Sequence, residues 1–241
     1  MEFIINKCPY VENQQVFLKK KLELQPNTIS CFVGCNGSGK TALIKEIQNN
    51  ICEKLKAREI SSDFYRSAFA DIFGKDKKET SCYYISFDKR TKISSSPDDY
   101  FKNAMRENME STGENIISRL GNQLQKLASI ISSQKLKDKK LFIFFDDCDA
   151  GTSIDMINDI KDVFSLVTND CKKNNIEYYI VITANSYEMC RDLDCISVQD
   201  FKHKTFKSYE TFKKFVLKTK DVKNYLLEKD KENYTKSRSL D

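Results

Sequence analysis

The chain alternates between segments that have the hydrophobic pattern of strands and segments that have that of helices. Short continuous apolar runs, typical of strands covered on both faces, occur at 28–33, 82–87, 141–145 and 178–183. Between them, apolar residues recur at helical spacing, as in the segment 157–167. Strands that alternate with helices predict an α/β fold, in which a mainly parallel sheet is flanked by helices.

Two regions add to this repeating pattern. Short apolar runs at 16–18 and 21–24 precede a turn at Pro26-Asn27, and they predict an antiparallel β part near the N terminus. Helical periodicity predicts a separate helical part over about 98–136.

The segment after residue 200 is rich in lysine, and its apolar residues over 212–226 recur on one side of a predicted helix. The lysine excess favours a polyanion such as nucleic acid, although a solvated helix face is the commoner reason for such a run. We expect one main domain over 1–200 and a basic helical extension over 201–241, which docks on the domain or on a partner.

Composition and apolar patterning indicate the cellular compartment of the protein. The 241 residues fit one α/β domain with a small appendage, and no apolar stretch reaches the roughly 18 residues that a membrane span requires. The N-terminal residues lack the pattern of a secretion signal. Nine cysteines are scattered without a C-x-x-C pair, and there is one histidine, so a thiolate metal site is not expected. Free cysteines suit a reducing compartment, and we expect a cytoplasmic protein without membrane insertion.

A glycine-rich loop, GCNGSGKT at 34–41, follows the first apolar run and precedes a helical pattern. Glycines let successive amides converge on phosphate oxygens, and the helix start adds its positive dipole end. Lys40 is expected to reach the β- and γ-phosphates, and the Thr41 hydroxyl to bind magnesium. The loop predicts ATP and Mg²⁺ as ligands. The candidate nucleotide contacts are Gly34, Asn36, Gly37, Ser38, Gly39, Lys40 and Thr41.

Two acidic residues follow the apolar run at 141–145. Asp146 is the candidate second ligand of the magnesium ion, and Asp147 can orient or deprotonate the attacking water. Taken alone, such a pair can also simply open a loop. Its occurrence together with a complete phosphate-binding loop favours the catalytic interpretation.

Three segments together resemble ATP-binding cassette ATPases, in particular the soluble branch related to chromosome-maintenance and overcoming-lysogenization-defect proteins. They are GCNGSGKT at 34–41, STGEN at 111–115 and DDCDAGTSID at 146–155. The second is similar to the family signature segment, and the third to the acidic strand and the loop that follows it. The resemblance covers about residues 1–200 and implies a P-loop NTPase fold with a helical signature subdomain.

In that family two ATP molecules are sandwiched between two subunits. The resemblance therefore implies that Ser111, Gly113 and Glu114 contact the nucleotide bound by a partner subunit, in a homodimer or a heteromer. Serine and amide groups at a helix N terminus suit an anion. The same segment also fits an ordinary helix cap, because serine or threonine ahead of an acid caps helices routinely.

The chain departs from the family at three positions. Asp147 stands where the family has a longer glutamate, the segment after Phe87 offers Asp88 in place of a glutamine, and Asn185 replaces the switch histidine. Asparagine can hydrogen-bond a phosphate but carries no charge. Slow hydrolysis is expected, with Asp147, Lys40 and Asn185 as the candidate catalytic residues.

The leading hypothesis is a soluble ATPase that dimerises around Mg-ATP and drives a conformational cycle with a partner protein or nucleic acid. A role in genome maintenance or antiphage defence is an analogy with the family alone. Two alternatives remain: the nucleotide-binding subunit of a membrane transporter, and a nucleotide-gated sensor or binding module with little turnover.

Overall fold

A computed structural model describes residues 1–9, 14–54, 69–72, 80–86, 124–125, 127–132 and 140–238. The strands are β1 (Glu2–Ile4), β2 (Lys21–Glu23), β3 (Thr28–Val33), β4 (Phe69–Ile72), β5 (Thr80–Ser86), β6 (Lys140–Asp146), β7 (Glu177–Ala184), β8 (Asp194–Ser197) and β9 (His203–Lys204). The helices are α1 (Lys40–Lys54), α2 (Ile154–Lys173), α3 (Tyr187–Cys190) and α4 (Tyr209–Arg238). Residues 127–132 are also helical.

The strands form a two-stranded sheet and a seven-stranded sheet with the order β4-β5-β6-β7-β3-β8-β9. β5, β6 and β7 pair in parallel, as do β3 and β8, whereas β4 and β9 are antiparallel edge strands. β1 and β2 form the separate antiparallel pair. The predicted α/β class, with a mainly parallel sheet and an antiparallel N-terminal part, is confirmed.

The chain divides into two compact units, and the first comprises Met1–Leu24, Ser30–Asn50 and Thr183–Asp241. Its core includes the apolar residues of β3 and one face of α1, where Leu43, Ile44 and Ile47 are fully buried. The C-terminal helix α4 belongs to this unit, and its Phe212 packs edge-on against Phe206 with ring centroids 5.3 Å apart. The helix therefore docks on its own chain.

The second unit comprises Gln25–Ile29 and Ile51–Ile182. β6 is buried along nearly its whole length, as the continuous apolar run predicts for a parallel strand covered on both faces. α2 buries the periodic face that the sequence indicates, with Phe164 packed 4.9 Å from Phe145 between ring centroids. A helix between parallel β6 and β7 supplies the long crossover that such strands need.

Some elements differ from the sequence prediction. β3 has the predicted bounds, and β5 begins two residues before the run at 82–87, whose last residue lies outside the described residues. The sequence prediction missed β1, β4, β8 and β9, because strands of four residues or fewer are too short to show a period. The predicted run at 16–18 forms no strand, and β2 pairs with β1 instead.

Other predictions lie wholly or partly outside the described residues. Most of the helical part at 98–136 does so, although Leu127 and Ile131 are buried as expected. Within the described ranges, no helix has the length and apolar character needed to cross a bilayer.

Candidate functional site

The glycine-rich loop connects the end of β3, at Val33, to the start of α1, at Lys40. Gly37 and Gly39 adopt positive φ angles of 71° and 97°, a region that side chains with a Cβ rarely enter. A Cβ on Gly39 would also lie 2.6 Å from Val16 Cγ1, and one on Gly34 would lie 2.5 Å from Ser38 Oγ. Backbone conformation and packing thus require glycine at these positions of the motif.

The Lys40 side chain folds back onto the loop. Its ammonium donates hydrogen bonds to the carbonyl oxygens of Gly34 at 3.1 Å and Cys35 at 3.3 Å, and the residue is only 9% exposed. The first turn of α1 contains no acidic residue, so the positive end of the helix dipole is not neutralised locally. The loop therefore combines a cation and a helix N terminus, both of which favour an anion.

Ser38 provides an independent sign of a ligand. The residue is 2% exposed, and among the described residues its hydroxyl oxygen has no hydrogen-bond partner. Leaving a buried polar group unpaired costs about 1–3 kcal/mol. An orphaned hydroxyl within the loop is consistent with a ligand that supplies the missing partner. Thr41, at the start of α1, is exposed.

The C-terminal helix α4 contacts this loop directly. The Cys35 amide donates to Thr219 Oγ1 at 3.0 Å, and the Lys223 ammonium donates to the Asn36 carbonyl at 3.1 Å. Gln199 Nε2 donates to the Thr219 carbonyl at 2.8 Å, which ties the helix to the chain after β8. The sequence prediction left the docking site of this helix open and included neither Thr219 nor Lys223 in the site.

Replacing Thr219 with valine should destabilise the protein. Thr219 is 3% exposed, so valine would fit the space but would leave the buried Cys35 amide without its acceptor. We expect the free energy of unfolding, measured by urea denaturation, to fall by about 1–3 kcal/mol.

Thr168→Val is the matched control, because the Thr168 hydroxyl also donates to a carbonyl three residues earlier but lies on the surface of α2. This control should change the free energy by less than about 0.5 kcal/mol. Equal effects of the two substitutions would show that the bond to Cys35 contributes nothing.

The acidic segment lies in the second unit. Asp146 is the last residue of β6 and is 3% exposed, and Asp147 follows with a left-handed φ of 62°. The Ala150 amide donates to the Asp147 carbonyl at 3.3 Å, which closes a tight turn. A residue other than glycine in this conformation is uncommon, although aspartate and asparagine tolerate it best.

The turn places three carboxylates near the Cys148 thiol. Burial, followed by the charges of Asp149, Asp146 and Asp147, raises the pKa of the Cys148 thiol well above its usual value. Carboxylates crowded around a buried group are suited to a cation. The charge distribution is therefore compatible with the predicted role of Asp146 as a metal ligand, a role that stays a prediction.

The remaining predicted residues occupy different places. Asn185 follows β7 in the first unit and precedes α3, whose N-cap Ser186 accepts a hydrogen bond from the Met189 amide at 3.3 Å. The signature residues Ser111, Gly113 and Glu114, together with Asp88, lie outside the described residues.

Three cysteines that the sequence keeps apart come together in the first unit. The sulfur atoms of Cys31, Cys190 and Cys195 lie within 4.8 Å of one another, and all three residues are buried. Burial, and then hydrogen bonds with the other two thiols, raises the pKa of Cys31 well above its usual value. Three thiols are a possible set of ligands for a soft metal, which the absence of a C-x-x-C pair did not suggest. Their burial stabilises the neutral form, whereas a metal binds the thiolate.

Comparisons with known proteins leave the family open. No protein-family model matches the chain, and no curated protein matches it. One similar solved structure is described as the crystal structure of Stu0660 of Streptococcus thermophilus, with a TM-score of 0.42 and 13% sequence identity over 84% of this chain and 77% of that chain. A similarity at this level carries no argument about function.

Proposed function

We propose that this chain is a P-loop NTPase that binds Mg-ATP through the loop at 34–41 and hydrolyses it slowly. The observation that carries the proposal is the conformation of the loop between β3 and α1. Gly37 and Gly39 adopt positive φ angles, and the Lys40 ammonium is held within the loop. Calorimetric titration with Mg-ATP is the primary test, and the absence of binding would contradict the proposal.

The residues of the loop fit a nucleotide phosphate group. Lys40 would exchange the Gly34 and Cys35 carbonyls for phosphate oxygens, and the orphaned Ser38 hydroxyl would gain a partner. The hydroxyl of the exposed Thr41 residue is the proposed magnesium ligand of the loop. When bound, the ion would neutralise phosphate charge.

The proposed hydrolytic function rests on the acidic turn after β6. Asp146 is the proposed acidic ligand of the magnesium ion, and Asp147 is the proposed base that orients or deprotonates water. A nucleotide sensor with little turnover is the alternative, and release of phosphate over time separates the two.

Assembly is the part of the proposal that depends on the sequence resemblance alone. We expect the Asp147→Asn variant to form an ATP-dependent dimer, because each signature segment would contact the nucleotide of the other subunit. Light scattering should show a doubled mass only when ATP is present. Ser111→Arg should block this dimer sterically while preserving nucleotide binding by the monomer. A mass that is independent of ATP would remove the cassette-type interpretation and leave the phosphate-binding loop untouched.

A further inference from the structure

The C-terminal helix places a second ammonium group on the phosphate-binding loop. Lys223 Nζ lies 3.1 Å from the Asn36 carbonyl oxygen and only 2.7 Å from the point where a Cβ on Gly37 would stand. The ammonium thus occupies space that exists because residue 37 is glycine. Both Asn36 and Gly37 are exposed, so this part of the loop is open to a ligand.

The position of Lys223 is fixed by contacts one helical turn earlier. Thr219 and Lys223 are four residues apart and so share one face of α4. The buried Thr219 accepts from the Cys35 amide at 3.0 Å, and Gln199 donates to the Thr219 carbonyl at 2.8 Å. The helix is therefore anchored at the start of the loop while Lys223 extends over the loop residues that follow.

Two lysine ammonium groups accordingly bind carbonyls of three consecutive loop residues. Lys40 donates to Gly34 and Cys35, and Lys223 donates to Asn36. Both ammonium groups would attract an anion that binds at this loop. The arrangement is suited to a ligand with several negative charges.

The Lys223 ammonium also has hydrogen-bond donors left for such a ligand. A lysine ammonium has three donors, and within the described ranges the structure gives Lys223 one acceptor, the Asn36 carbonyl, and no carboxylate partner. The residue is half-buried, so its charge is less screened than that of a fully exposed lysine.

We propose that Lys223 is a second phosphate-binding residue, which contacts the terminal phosphate of a nucleoside triphosphate and makes the site prefer the triphosphate to the diphosphate. This inference rests on the proposed function of the loop. A triphosphate extends one phosphate further and carries one more negative charge than a diphosphate. A cation at Asn36 and Gly37, in addition to Lys40, therefore discriminates between the two ligands.

The test compares affinities for Mg-ATP and Mg-ADP by calorimetry. Lys223→Met should weaken ATP binding by about tenfold, as expected for the loss of one charge-assisted hydrogen bond, and should change ADP binding by no more than about twofold. Lys220→Met removes the same charge from an exposed position of α4 and should leave both affinities unchanged within about twofold. Lys223→Arg should retain most of the preference for ATP.

Three results would overturn the inference. An unchanged ratio of ATP to ADP affinity in Lys223→Met would show that Lys223 does not contact the terminal phosphate. Tighter ATP binding in that variant would show that the lysine competes with the nucleotide and covers the loop. In both cases the proposed function would stand if the wild-type chain binds ATP and this binding depends on Lys40. A wild-type chain that binds neither nucleotide would remove the proposed function together with the inference.

Discussion

Lys40→Ala should weaken ATP binding by about a hundredfold or more. The substitution removes the ammonium that the structure holds within the loop, next to the Gly34 and Cys35 carbonyls. Hydrogen bonds to charged groups contribute about 1.5–3 kcal/mol each, and the loss of two such bonds to phosphate corresponds to at least a hundredfold in the dissociation constant. Calorimetric titration with Mg-ATP measures the change.

The control for this experiment is Lys172→Ala. Lys172 lies exposed in the last turn of α2, so its replacement removes the same charge without touching the loop. Its affinity for ATP should equal that of the wild type. Circular dichroism should confirm that Lys40→Ala is folded. A folded Lys40→Ala protein with unchanged ATP affinity would show that the loop does not bind the phosphates.

Asp147→Asn should slow phosphate release by about a hundredfold or more while leaving ATP affinity within about threefold. General acid–base groups contribute about 10²–10⁴ to rate, and the amide can no longer accept a proton from water. The left-handed φ of 62° at this position should survive, because asparagine tolerates that conformation as well as aspartate does. Phosphate release under saturating Mg-ATP is the measurement.

Asp159→Asn makes the same chemical change on an exposed position of α2 and should leave turnover unaltered. If Asp147→Asn turns over as fast as the wild type, Asp147 is not the base. Binding of ATP by the wild type without any phosphate release would instead favour the nucleotide sensor.

Local sequence patterns predicted much of the fold because burial repeats with the period of each element. The β3 run was predicted with its observed bounds, and the buried face of α2 follows the spacing of Ile157, Ile160 and Phe164. Gly37 and Gly39 likewise adopt positive φ angles, a region that glycine enters readily. These features depend on residues that are close together in the sequence.

Contacts between distant parts of the chain were not predictable in the same way. The bonds from Cys35 to Thr219 and from Lys223 to Asn36 join residues 184 and 187 positions apart. One signal was present: Thr219 interrupts the apolar face of α4, and a polar residue buried on such a face requires a hydrogen-bond partner. The cysteine cluster gave no comparable signal, because its members are isolated in the sequence and share no spacing motif.

The most direct measurement of the central claim follows the backbone amides of the isotope-labelled chain by NMR during titration with a slowly hydrolysed Mg-ATP analogue. Binding through the loop predicts large, saturable shifts for the amides of Gly37, Ser38, Gly39 and Lys40, because successive loop amides would point at phosphate oxygens. The NMR signals of the Asn174 and Asn175 amides, at the end of α2, should not shift. A nucleotide that binds while the four loop amides remain unshifted would contradict the account.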